Sequence, residues 1–120
     1  MIRTALLAAS LSVLLAAPAS GHGLRLTLTA EPGCLSGRIG YSDGWPGEGE
    51  TATITTVDGS AAPRKVVADI DGRFSAPATP GRHRVRVVGD EDHEVEREVE
   101  VTSGVDTAPC TPSGPPPTPE

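Results

Sequence analysis

From Arg82 to Val101 the chain carries two alternating runs joined by a polar turn. Arg82, Arg84 and Arg86 alternate with His83, Val85 and Val87. After Gly89-Asp90-Glu91-Asp92-His93, the residues Glu94, Glu96, Glu98 and Glu100 alternate with Val95, Arg97, Val99 and Val101. A period of two sends successive side chains to opposite faces of a strand, so both runs read as half-buried strands of one hairpin. Pairing Val87 with Val95 sets Arg86 across from Glu96, Arg84 from Glu98 and Arg82 from Glu100, with the valines on the other face. A slip of one residue would turn the charges inward, so this register is strongly specified. Each exposed cross-strand pair contributes only about a few tenths of a kcal/mol. The charge run therefore has a structural explanation, and no catalytic role is read into it. His83 falls in phase with the valines and is expected in the core or half-buried.

The chain before the hairpin repeats the same logic. Leu24 to Ala30 alternates leucine with Arg25, Thr27 and Thr29, and Glu31-Pro32-Gly33 turns it into Leu35 to Tyr41, with Leu35, Ile39 and Tyr41 on one face. Ser42 to Gly49 is a long turn of residues that tolerate unusual backbone angles. Thr51 to Val57, Lys65 to Ile70 and Arg73 to Ala76 supply three more strands, with Phe74 as the core aromatic and Asp58-Gly59 and Asp71-Gly72 as turns. No stretch beyond residue 19 shows sustained helical periodicity. Seven short strands with frequent turn signals predict an all-β fold, a small β-sandwich.

The ends of the chain suggest where it works. Arg3, the apolar run Ala5 to Ala17 and the small-x-small sequence Ala17-Pro18-Ala19 form a secretory signal over residues 1–19. The apolar run is short for a membrane span and no second one follows it, so the mature chain is expected to be periplasmic or secreted. Removing Arg3 from the ten basic residues leaves nine against sixteen acidic ones, a net charge of −7. With that balance and only one Trp, one Tyr and one Phe, the chain lacks the footprint of a nucleic-acid binder. The domain, residues 20–103, has a foldable part of about 80 residues, a size that benefits from a staple. In an oxidising compartment Cys34 and Cys110 are expected to form a disulfide that clamps the tail to the body. The Pro-rich tail, residues 104–120, is expected to be extended, and disordered beyond Cys110.

The sequence is expected to be non-enzymatic. No nucleophile sits in a strand-turn-helix elbow, no Gly-rich loop precedes a helix, and Asp69-Ile70-Asp71-Gly72 reads as a β-turn because the later glutamate of a calcium loop is missing. No organic cofactor is expected. The histidines are the better candidates. If the signal is cut after Ala19, the mature chain begins Ser20-Gly21-His22. Terminal amine, two deprotonated amides and imidazole then form a planar nitrogen set suited to Cu(II) or Ni(II). If the cut follows Gly21, His22 chelates through its own amine and ring. The plain alternative is an uninvolved terminal residue. His93, in the acidic turn, is a second metal candidate, with a solvated side chain as its plain alternative.

Three stretches, Gly40-Tyr41-Ser42-Asp43-Gly44-Trp45-Pro46-Gly47-Glu48-Gly49, Asp69-Ile70-Asp71-Gly72-Arg73-Phe74 and Pro80-Gly81-Arg82-His83-Arg84-Val85, resemble the carboxypeptidase regulatory-like (prealbumin-like) β-sandwich. The sequences His22-Gly23-Leu24, Tyr41-Ser42-Asp43-Gly44 and Gly89-Asp90-Glu91-Asp92-His93 look like those of small exported proteins associated with nickel and cobalt uptake transporters. The resemblance spans nearly all of residues 21–101. Two positions depart from it: His83 stands where the family's Pro-Gly-x-Tyr has tyrosine, and the family's Gly-Asp-Gly-His turn reads Gly-Asp-Glu-Asp-His here. It implies a seven-stranded Ig-like or prealbumin-like sandwich. It also implies a non-enzymatic accessory that handles Ni(II) or Co(II) as cargo through His22 and His93 beside membrane transporter components. The competing expectation is a ligand-free interaction or spacer module of the same fold.

Overall fold

The structure, a computed structural model, describes residues 23–89, 93–104 and 110–114. Seven strands follow in order: β1 Leu24–Glu31, β2 Cys34–Tyr41, β3 Thr51–Thr56, β4 Arg64–Val67, β5 Arg73–Pro77, β6 Gly81–Val88 and β7 Glu94–Val101. They form two antiparallel sheets, one of order β1-β2-β5 and one of order β4-β3-β6-β7. The chain is thus an all-β sandwich. Edge strand β7 lies alongside β1, and β4 approaches β5, so the sheets meet at both margins.

Between them sits a core of small and β-branched side chains, with Leu35, Ile39, Val85, Val87 and Val101 fully buried. Phe74 is the one aromatic in this core, and its room comes from the strand next to it. Gly37 pairs with Phe74 across β2 and β5, and a methyl at Gly37 would come within 2.7 Å of the ring Cε1. His83 is buried as its phase with the valines predicts, with Nδ1 3.1 Å from the Gly81 carbonyl oxygen. A carbonyl only accepts, so that contact places the ring proton on Nδ1.

The hairpin has the expected register: Val87 pairs with Val95, Arg86 with Glu96, Arg84 with Glu98 and Arg82 with Glu100. The ion pairs, however, lean along the diagonal. Arg86 meets Glu94 at 2.7 Å, Arg84 meets Glu96 at 3.0 Å and Arg82 meets Glu98 at 2.9 Å. The directly opposed contacts are Arg84–Glu98 at 3.0 Å and Arg82–Glu100 at 3.9 Å. Sheet twist rotates neighbouring strands and carries long side chains toward the diagonal partner.

Two boundaries differ from the sequence expectation. The strand anticipated through Ile70 ends at Val67, and Ile70 is exposed. Asp69 Oδ1 accepts the backbone N–H groups of Asp71 and Arg73, both at 2.9 Å, and Gly72 adopts φ 78°, so a side-chain-capped turn outcompetes strand continuation. The Cys34–Cys110 disulfide is present, with Cα atoms 5.4 Å apart. Beyond it, Thr111–Gly114 is held rather than loose. Ser113 N–H donates to the Ser75 carbonyl at 2.8 Å, Ser75 N–H to Ser113 Oγ at 2.9 Å and the Ser75 hydroxyl to the Thr111 carbonyl, while Val67 N–H reaches the Gly114 carbonyl at 3.1 Å. The disulfide delivers the segment to the open edge of β5, whose backbone groups need partners.

Candidate functional site

Of the two metal-ligand candidates, His93 lies within the described residues. The secretory signal expected over residues 1–19 and the candidate ligand His22 lie outside the described residues. Gly23, the residue after His22, is fixed on both sides by one turn residue: its N–H donates to Ser42 Oγ at 3.0 Å, and its carbonyl accepts from Ser42 N–H at 2.8 Å. The Tyr41-Ser42-Asp43-Gly44 turn thus anchors the start of β1, and the Tyr41 hydroxyl donates to Glu50 Oε1 at 2.6 Å. Gly89, directly after β6, arrives at the same place. A methyl at Gly89 would sit 2.9 Å from Leu24 Cδ1, so its backbone packs directly on the first side chain of β1. His93 meets Gly89 from the β7 side, its carbonyl accepting Gly89 N–H at 2.7 Å, and its side chain is half-buried. Among the described residues, no three His, Cys, Asp or Glu side chains gather into a group able to hold a metal ion. Among them also, no helix is long and apolar enough to cross a membrane.

A second surface emerges that the sequence reading did not single out. On the outer face of the three-stranded sheet the register lines up Thr27, Arg38 and Arg73 across β1, β2 and β5, and Thr29, Ser36 and Ser75 in the next row. Arg25 stands opposite Gly40, which bridges to Pro46 in the β2–β3 loop. A groove of about 640 Å³ runs between these rows and the docked tail. A hollow of about 220 Å³ adjoins it, sharing Thr27 and Arg38 and bounded by Arg25, Tyr41 and Trp45. Trp45 is 71% exposed. Its loop is nevertheless ordered: Tyr41 N–H donates to the Trp45 carbonyl at 2.8 Å and Trp45 N–H to Asp43 Oδ1 at 3.2 Å. Among the described residues, none of Arg25, Arg38 and Arg73 forms a salt bridge.

These residues stand far apart in the sequence as isolated singles. Only the alternation of Arg25 with the leucines hinted that one of them points outward. By contrast, the arginines that looked conspicuous as a run are consumed by glutamates. The Arg82 and Arg84 guanidinium groups hold the Glu98 carboxyl below the usual glutamate range, Arg86 does the same to Glu94, and Glu94 in turn raises Arg86.

Comparison with known proteins found no family model, no curated protein and no solved structure that matches this chain.

Proposed function

We propose that the mature protein is an exported, non-enzymatic metal-handling accessory. It would bind Ni(II) or Co(II) as cargo at its amino terminus and present it to membrane uptake components. The reading draws on the chain's resemblance to small exported proteins associated with nickel and cobalt uptake, with which a seven-stranded sandwich agrees. The observation that carries it is the packing of Leu24 against Gly89, which brings the start of β1 to the turn that ends in His93. An amine–amide–imidazole set would come from residues 20–22, with His93 as a further ligand from the folded body. Neither Gly21 nor His22 is proline, and both keep the amide such a planar set uses. That donor set also suits Cu(II), so Cu(II) competes in the same assay.

The experiment is a Ni(II) titration of the correctly processed chain, followed by visible absorption of planar Ni(II) and by calorimetry. A tight one-to-one site is expected. It disappears in His22→Ala and in a chain with one residue added before the native terminus, and it weakens in His93→Ala. A wild-type chain with no tight site overturns the reading.

A second reading, a ligand-free interaction or spacer module of the carboxypeptidase regulatory-like type, is favoured by the exposed Trp45 and the arginines beside it.

A further inference from the structure

We infer that the outer face of the three-stranded sheet is a binding surface for an acidic glycan, a saccharide chain bearing carboxylates. The inference is independent of the amino-terminal metal site and concerns the opposite use of the molecule, as a surface that docks.

The first observation is a charge anomaly. The whole chain has a net charge of −6, yet Arg25, Arg38 and Arg73 project from one face with no carboxylate paired to them among the described residues. Arg38 and Arg73 are directly opposed across β2 and β5, a like-charge arrangement that costs stability in a sheet. A guanidinium presents a planar fork of donors that matches a carboxylate. Asp69 lies at the groove rim, but its Oδ1 is engaged by the N–H groups of Asp71 and Arg73.

The second observation is the placement of the only tryptophan. It sits at 71% exposure beside Arg25 and Arg38, although a ring of this size normally goes toward the interior. An exposed indole offers a flat apolar plate with one polar N–H, which suits the C–H face of a sugar ring whose substituents are hydroxyls. Along the groove Thr27 and Thr29 offer hydroxyls that donate and accept, Ser36 and Ser75 offer hydroxyl oxygens whose protons go to the Thr29 and Thr111 carbonyls, and Val67, Phe74 and Pro112 supply apolar wall between them.

These features favour a glycan over an acidic peptide. An extended peptide would dock by adding a strand to a sheet edge or by filling side-chain pockets. The β5 edge beside the groove is already taken by Ser113, so strand addition there is blocked, and the two arginines and the exposed indole flank an open groove that no single side-chain pocket dominates.

The test uses the processed, disulfide-bonded chain and a short oligogalacturonate, with its methyl-esterified form and an oligoglutamate as controls. Because the chain has one tryptophan, its fluorescence reports directly on the site. The oligogalacturonate is expected to change Trp45 emission and to bind more weakly as salt is raised, whereas the neutral ester does not bind. Replacing both Arg38→Gln and Arg73→Gln should lower affinity about tenfold or more, and Trp45→Ala several-fold, with calorimetry as the readout for the latter. All three positions are exposed, so thermal melts should show the variants folded. His22→Ala should leave this binding unchanged, which separates its failure from that of the metal reading. No binding of oligogalacturonate overturns the inference. Oligoglutamate binding that is equally tight and indifferent to Trp45→Ala also overturns it, in favour of an acidic peptide.

Discussion

The two outer faces of this sandwich use arginine in opposite ways. On the four-stranded sheet Arg82, Arg84 and Arg86 interleave with Glu94, Glu96, Glu98 and Glu100, and each of these three guanidinium groups has a carboxylate within 3.0 Å. On the three-stranded sheet Arg38 faces Arg73 across the strands with Arg25 nearby, and no acid answers them among the described residues. On the first face the charges of these three arginines are spent on the glutamates beside them. The second has its charge available. Arginines bunched in the sequence were thus the less informative ones, since bunching by alternation makes cross-strand pairing easy.

The layers beneath also differ, and the largest expected effect lies there. The three-stranded side sets one large aromatic over Gly37 beside Leu26, Leu35 and Ile39, while the four-stranded side spreads burial over the smaller Val85, Val87, Val95 and Val101. Phe74→Ala should cost about 3–5 kcal/mol in urea denaturation, because the space opposite Gly37 has no side chain to collapse into it. A loss below about 1 kcal/mol would show that the sheets tolerate the void and that the asymmetry is only apparent.

The cross-link comes next. Replacing Cys34 and Cys110 together by alanine should lower stability by about 2–4 kcal/mol. The Ser113 amide should then exchange with solvent much faster than in the oxidised chain, while amides of the β6–β7 hairpin keep their relative protection. Equal acceleration in both places would mean that the tail does not belong specifically to the β5 side.

A smaller effect separates the faces by pH. Glu94 and Glu98 are held below the ordinary glutamate range by hydrogen bonds from Arg86 and from Arg82 and Arg84. A carboxyl whose folded value is depressed stabilises the fold fully above its unfolded value of about 4.3, and that contribution is lost as pH falls through the lower folded value. Melting temperatures of wild type and the Glu94→Gln, Glu98→Gln double variant should differ at pH 7 and converge on acidification, by modest amounts because the groups are exposed. A constant gap from neutral to strongly acidic pH would contradict the ladder.

The smallest change has the opposite sign. Arg38→Thr should leave stability equal or raise it by roughly a few tenths of a kcal/mol, since it removes one of two opposed like charges. Arg84→Thr should lower it. If both variants lose stability alike, the arginines of the three-stranded face have structural partners after all.

Much of the architecture was legible in the sequence because it is local. Alternation located the hairpin and its register, turn residues separated the strands, and two cysteines in an expected exported chain pointed to the bond that is found. What escaped depends on contacts between distant segments. Nothing in the neighbourhood of Arg38 signals Arg73, because their adjacency arises when the chain crosses to the other sheet and returns as β5. Val67 ends its strand because the Asp69 carboxylate reaches two amides further on. Thr111–Gly114 looked like plain tail because its partners on β4 and β5 lie far back in the chain. At the amino-terminal end, the Leu24–Gly89 contact was equally invisible, while His22 and His93 stood out by chemistry alone.

The covalent bond between Cys34 and Cys110 also decides how the molecule carries mechanical load. A pull applied beyond Gly114 first breaks the bond from Val67 N–H to the Gly114 carbonyl and then peels the hydrogen bonds that Ser113 and Thr111 make with Ser75. The force then reaches Cys110 and passes through sulfur into the first residue of β2, leaving β7 slack although β7 is the last strand among the described residues. Anything fastened to the carboxyl end therefore tugs on an interior strand of the three-stranded sheet, hydrogen-bonded on both sides, and the terminal hairpin does not unzip first.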